Sequence, residues 1–412
     1  LIMLAAVFGL FMAWGIGAND VANALGTSVG SGAITIKTAI IVAAIFEFAG
    51  AALAGGSVTR TIRKGIIDPS AIVDRPEILV YGMLAALLAA GCWLAVASAK
   101  GWPVSTTHSI IGAIVGFAVA GIGVDAVAWG KIGQIVASWV VSPLLGGAFA
   151  FLLMMSIQKM IFNAEHPFNE AVKWGPYYIF LVGFVISLIT LFKGLKHLNV
   201  DLSISASFLI ASAIGIAVAI IGKNAISRVK IDKTADRDFH FASVERVFAP
   251  MIVFTACAMA FAHGSNDVAN GIGPLAAVYG LVKSGGEVTQ KLPMPFWILA
   301  LGGVGIVVGL ATYGYRVMQT IGGKITALTP TSGFCATVAA AITVVFASRT
   351  GMPVSTTHIM VGAVMGVGLA RGFAALDLQV IGGIFASWIV TLPAGAILAA
   401  AFFFMLKGIF AP

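Results

Sequence analysis

Two short polar groups interrupt an otherwise apolar sequence, and each occurs twice. Asn19, Asp20 and Asn23 stand in GANDVANALG at 17–26, and Asn266, Asp267 and Asn270 stand in GSNDVANGIG at 264–273. Carboxylate and amide oxygens are the ligands that small hard cations prefer. On a continuous helix Asn19 and Asn23 share a face, with Asp20 on the adjoining edge, so each copy presents a compact group of oxygens. Asp20, Asn23, Asp267 and Asn270 are therefore expected to hold a small cation. Glycines such as Gly15, Gly17, Gly264 and Gly271 would let the helix open and lend backbone carbonyls. The plain alternative, hydrogen-bonding glue between helices, does not need the same acid in both copies.

The second group is WPVSTTHSIIGAIVG at 102–116, which returns as MPVSTTHIMVGAVMG at 352–366. Pro103 followed by Ser105, Thr106 and Thr107, and Pro353 followed by Ser355, Thr356 and Thr357, read as helix starts. Proline suits the first turn, Ser and Thr cap it, and an apolar run follows. A helix start offers free N–H groups and the positive end of its dipole, and successive hydroxyls add donors, so each copy can bind an anion. Two such starts approaching from opposite halves would surround one tetrahedral oxyanion near the midplane, with Asn19, Asn266 or one of the aspartates accepting its proton. His108 and His358 read as histidines hydrogen-bonded to backbone rather than as ligands. Apart from these two, neither motif contains a basic residue. An anion beside two aspartates is then repelled unless cations balance it, and that mutual dependence would couple the two cargoes.

These residues need elements that place them inside a low-dielectric environment. The 412 residues are 59% apolar and 10% charged, with a mean hydropathy of +1.03, whereas soluble domains are about one quarter charged. Apolar runs of about 20 residues recur along the whole chain, the length of a helix crossing roughly 30 Å of hydrocarbon. A lipid-embedded backbone must satisfy its own polar groups, and runs of this length select helices over a barrel. Twelve transmembrane helices are expected near 1–24, 34–56, 78–99, 105–122, 127–157, 176–193, 203–222, 246–270, 295–318, 333–348, 355–371 and 378–406. The first reads as a spanning helix rather than a cleaved leader. Within these runs Glu47, in IFEFAG, is a lone acid with no match in the second half and is a candidate for coupling or gating.

With ASWVV at 137–141 and ASWIV at 386–390, three motifs recur in the same order at offsets of 247, 250 and 249 residues. The chain is thus a duplicated unit of about five helices, 1–160 and 246–412, separated by two helices and a loop within 161–245. Corresponding points lie seven crossings apart, an odd number, which makes the copies inverted; inverted repeats meeting at the midplane are a recurrent transporter design. A re-entrant segment would disturb that parity, and 101–122 and 351–371 are the segments to suspect. The most polar stretch, Lys223 to Arg246, is expected as the one sizeable loop, cytoplasmic by its positive charge, with both termini outside. The net charge of +8 is scattered over loops without aromatic interleaving, so no nucleic-acid partner is expected. Cys92, Cys257 and Cys335 lie in apolar runs without disulfide or zinc spacing.

The paired GANDVANA/GSNDVANG and PVSTTH motifs resemble the inorganic phosphate transporter (PiT) family, and the resemblance spans both repeats. It implies symport of phosphate with sodium or protons in the inner membrane. It also implies functional roles for the two Asn-Asp motifs, the two Ser-Thr-Thr segments and Glu47. Thr337, in GFCATVAA, stands where animal relatives tend to carry an acid, and the short inter-repeat loop suggests a prokaryotic member. Expected partners are inorganic phosphate, co-transported Na⁺ and the bilayer, with no cofactor; a homodimer is a candidate assembly. A proton-coupled phosphate or sulfate permease is the alternative within the same fold. An intramembrane phosphotransferase built on Ser105 or His108 would need a basic clamp and one asymmetric nucleophile, and a channel would need a continuous polar lining. The duplication of every candidate residue argues against the enzyme.

Overall fold

The computed structural model describes residues 1–54, 66–67, 76–191, 202–226, 237–284, 295–350 and 354–410. Pro353 lies outside the described residues. Helix dominates throughout, as the apolar runs require, and extended pairing among the described residues is limited to an isolated antiparallel bridge between Ile67 and Val127. The helices are α1 (Ile2–Asn19), α2 (Ala22–Gly30), α3 (Ile36–Ala54), α4 (Pro76–Lys100), α5 (Thr106–Gly121), α6 (Trp129–Ile157), α7 (Pro167–Ile189) and α8 (Ile204–Ile226). They continue with α9 (Arg237–Lys283), α10 (Phe296–Lys324, with two π turns), α11 (Pro330–Thr350), α12 (Thr356–Ala370) and α13 (Leu378–Phe410).

With α1 and α2 counted as one span, ten helices are long and apolar enough to cross a membrane, and α5 and α12 are shorter apolar helices. Those two have 16 and 15 residues. At 1.5 Å per residue they reach only about 22–24 Å, less than the roughly 30 Å of hydrocarbon. Neither is therefore long enough to cross the layer alone, and each carries its Ser-Thr-Thr segment at its start. α4 packs along α5 and reaches it through the short stretch 101–105, so the two form a hairpin.

The stretch expected as a sizeable loop, Lys223 to Arg246, is helical at both ends, and 227–236 lie outside the described residues. Lys223 is in the last turn of α8, and Arg246 lies well inside α9, which leaves only 227–236 between the helices. Charge is tolerated on α9 because it has work there: the Glu245 carboxylate accepts hydrogen bonds from the Thr331 backbone N–H (2.7 Å) and hydroxyl (2.8 Å) at the start of α11. A negative charge at a helix N-terminus is favourable.

The two halves clasp each other reciprocally. α5 of the first repeat packs on α13 of the second, and α12 of the second packs on α6 of the first. The contacts match pairwise. A Cβ on Gly112 or Gly116 would stand 2.5 Å from Leu392 O or 2.1 Å from Ala396 O. One on Gly362 or Gly366 would stand 2.2 Å from Pro143 O or 2.1 Å from Gly147 O. Only glycine permits such backbone approach. Pro143 and Pro393 lie inside α6 and α13 at corresponding places. This reciprocal exchange brings the starts of α5 and α12 close to each other.

Candidate ion and anion site

Both predicted helix starts are present. Ser105 caps α5 with its hydroxyl oxygen accepting from His108 N–H (3.2 Å), and Ser355 caps α12 by accepting from His358 N–H (3.3 Å). The following threonines converge on one residue. Thr106 donates its hydroxyl proton to Asp20 Oδ2, and Thr357 donates to Asp20 Oδ1 at 2.6 Å. The two Ser-Thr-Thr segments therefore meet across the width of a single carboxylate, as one shared anion site requires. Asn23 donates to Asp20 Oδ1 (2.9 Å) and to Thr357 Oγ1 (3.0 Å). In the second copy Asn270 donates to Thr106 (3.2 Å), Thr107 (3.1 Å) and Asp267 Oδ1 (3.3 Å). Thr107 and Thr356 are half-buried, whereas Ser105, Thr106, Ser355 and Thr357 are buried.

Asn19 and Asn266 do not act as a matched pair. The helix is interrupted at Asp20–Val21, between α1 and α2, where both residues keep right-handed helical backbone angles. Asn19 holds the stretch 102–104 in place: its amide donates to Ser98 Oγ (3.1 Å) and Trp102 O (2.9 Å), and its oxygen accepts from Val104 N–H (3.0 Å). Asn266 donates to Asp267 Oδ1 (3.2 Å). His108 and His358 are not tied to backbone through their rings. The His358 ring stacks on Trp388 (3.7 Å between centroids) and meets His108 edge-on (4.9 Å), and both its nitrogens are buried without partners. Trp388, from the repeated ASW motif, donates to Pro103 O (2.9 Å) and so anchors the same stretch from the other half.

His263 is the residue that sequence reasoning missed. Its Nδ1 lies 2.8 and 3.0 Å from the two oxygens of Glu47, and its Nε2 lies 3.2 Å from Asp267 Oδ2. The Glu47 contact is a hydrogen-bonded pair; the Asp267 approach lacks hydrogen-bond alignment and is charge proximity. Placement follows from packing: a Cβ on Gly264 would stand 2.2 Å from Glu47 O, so α3 and α9 touch backbone to backbone at this level. The signal was available, since His263 stands one helical turn before Asp267 and shares its face. Thr337 is neutral and satisfied, its hydroxyl paired with Thr27 at 2.8 Å and bonded to Gly333 O at 2.9 Å.

Asp20, His263 and Asp267 place ligand atoms within 4.8 Å of one another, all buried. Asp20, Glu47 and Asp267 together bring three carboxylates into this region. Among the described residues no Lys or Arg forms an ion pair with any of them, so the single His263 is the one basic partner. Uncompensated charge in a dry interior is prohibitively expensive. Asn23 Oδ1 and Asp267 Oδ2 are buried and lack partners, which is the signature of oxygens waiting for a ligand. The donor set is all oxygen plus one imidazole, and fits small cations. Cys335 is buried, and all three cysteines are free.

An all-helical, membrane-spanning chain with duplicated halves and a buried ionic site at their meeting point defines a polytopic transport protein. The profile of the phosphate transporter family matches residues 16–399. A Haemophilus influenzae protein named "Putative phosphate permease" is 53% identical over 410 residues, covering 100% of this chain and 97% of that one. A Pyrococcus abyssi protein of the same description is 47% identical over 402 residues, covering 98% and 97%. A solved structure titled "The sodium-dependent phosphate transporter" superposes with a TM-score of 0.87 at 40% identity and 99% coverage of both chains. The chain belongs to the phosphate transporter family. It is a transporter and not an enzyme.

Proposed function

We propose that this chain imports inorganic phosphate in symport with Na⁺. The anion would be held between the starts of α5 and α12 by Ser105, Thr106, Thr107, Ser355, Thr356 and Thr357. The cations would bind at Asp20 with Asn23 and at Asp267 with Asn270. One observation carries the reading: three buried carboxylates face hydroxyl donors and a single histidine, so an anion can enter only with cations. Binding of either cargo then favours the other, which is thermodynamic coupling. Glu47 fixes His263 and acts on the second cation site through it. Asn19 serves the anion by holding 102–104, and Asn266 stays available as an acceptor for the phosphate proton. The solved sodium-dependent neighbour supports sodium as the driving ion.

The repeats 1–160 and 246–412 are proposed to be inverted, with α7 and α8 between them. If α4 and α5 enter and leave on one side, the pair adds no net crossing, and five crossings still separate the copies. The odd count keeps them inverted. The chain would sit in the plasma membrane with both termini extracytoplasmic. Uptake of labelled phosphate into proteoliposomes, with Na⁺ and pH gradients imposed separately, tests the proposal. Accumulation driven by the Na⁺ gradient alone is expected. Accumulation driven only by the pH gradient would replace sodium with protons.

A further inference from the structure

A crevice of about 890 Å³ opens between α6, α12 and α13. Its walls are apolar, with Leu144, Phe151, Met365, Leu369, Ile381 and Phe385 among them. The inner end is closed by Trp139 and Trp388, which back onto His108 and His358 behind the helix starts. The outer end reaches Phe373, Leu376 and Leu378, in the connection from α12 to α13. From Leu378 to Trp388 along α13 the crevice covers about 15 Å at 1.5 Å per residue, half of the roughly 30 Å hydrocarbon layer. That is the depth of one leaflet.

A second, polar depression of about 470 Å³ adjoins the outer end and shares Leu376 and Leu378 with the crevice. Lys324, Ala327 and Asp377 are on its rim, and the Arg371 guanidinium reaches it by donating to Ala327 O. Asp377 is the opposing charge, but its Oδ1 accepts from the N–H groups of Gln379 (3.0 Å) and Val380 (3.1 Å) and so caps α13. Two cations thus stand against one committed carboxylate at the mouth of an apolar slot one leaflet deep.

We propose that this is a binding site for an anionic phospholipid, with an acyl chain in the crevice and the phosphate against Lys324 and Arg371. The chemistry matches on both counts: apolar area for the tail, and paired basic side chains at the interface for the headgroup. A lipid in the slot would touch α12, the helix that carries Ser355 to Thr357. The site does not depend on the identity of the transported ions.

Native mass spectrometry of the detergent-purified chain, titrated with phosphatidylglycerol and phosphatidylcholine of matched acyl chains, tests this. The expected result is one tightly held phosphatidylglycerol per chain. Lys324→Gln and Arg371→Gln, both at exposed positions, should each weaken it about fivefold, as loss of one interfacial charge implies, and leave phosphatidylcholine unchanged. Ala148→Phe, which fills the crevice from an exposed position on its wall, should weaken both lipids. Equal affinity for the two lipids, or phosphatidylglycerol affinity unaltered in both charge variants, would overturn the proposal. So would Ala148→Phe splitting a dimer without changing lipid binding, which would make the crevice an interface between copies.

Discussion

The two Asn-Asp motifs share the letters NDVAN, yet they sit in different surroundings. In the first copy the helix breaks at Asp20–Val21, whereas α9 runs unbroken from Arg237 to Lys283 through the second. Asp20 is held by neutral donors from three elements, namely Asn23 on α2, Thr106 on α5 and Thr357 on α12. Asp267 is held by amides of its own helix and faces His263, itself paired with Glu47. The position equivalent to His263 in the first copy is Ile16, which is buried and apolar. Duplication therefore supplied two carboxylates, and divergence placed one histidine within 4.8 Å of both, on the helix of the second and nearer to it. Asp20 joins the two halves through Thr106 and Thr357, whereas Asp267 lies closer to the shared imidazole.

The largest effect is expected from breaking the pair behind the second copy. Glu47→Ala removes the partner of a fully buried histidine, and breaking a buried pair costs about 3–5 kcal/mol. Thermal unfolding in detergent should show it, and a loss below about 1 kcal/mol would detach the pair from the architecture. Next comes the contrast between the aspartates. Asp20→Asn disturbs charge-assisted hydrogen bonds worth about 1.5–3 kcal/mol each, so Na⁺-dependent phosphate binding should fall roughly a hundredfold. Asp267→Asn should lose about tenfold, because His263 and Glu47 can rearrange around it. Equal losses in calorimetric titration would erase the distinction between the copies.

A smaller contrast separates two threonines at corresponding positions. Thr357→Val deletes a buried donor to Asp20 and should weaken phosphate binding by about 1.5–3 kcal/mol. Thr107→Val deletes a half-buried hydroxyl that accepts from Asn270 and should cost about 1 kcal/mol. Reversed order in the same titration would mean that α5, not α12, dominates the anion site. Selectivity is the finest test. Monohydrogen phosphate brings a proton donor that sulfate lacks at neutral pH, and an unpaired acceptor costs about 1–3 kcal/mol, so sulfate should compete about ten- to a hundredfold less well. Equal potency against labelled phosphate would mean that Asn266 accepts nothing.

Much of this was legible in the residues. Apolar runs of helical length gave the spans, because bilayer thickness sets a length that composition alone reveals. Repetition gave the pairing of halves, and Ser105 and Ser355 cap their helices as their neighbours Pro103 and Thr106 or Thr356 suggested. What stayed hidden depended on tertiary contact. That Asn19 would spend its amide on Ser98 and 102–104 could not be read locally, because those partners lie 79 to 85 residues further along the chain. His263 was one turn from Asp267, but its importance arises from Glu47, 216 residues away in sequence. The end of the polar run, at Glu245 and Arg246, is helix rather than loop, and Glu245 caps α11 there, a partnership between helices that hydropathy does not register.

The central claim is that buried carboxylates make anion and cation binding mutually dependent. Its most direct test is calorimetric titration of phosphate into the purified protein over a series of Na⁺ concentrations, with choline keeping ionic strength constant. The phosphate Kd should fall as Na⁺ rises, and phosphate should tighten Na⁺ binding by the same factor, as linkage requires. A phosphate Kd that is independent of Na⁺ would contradict the account.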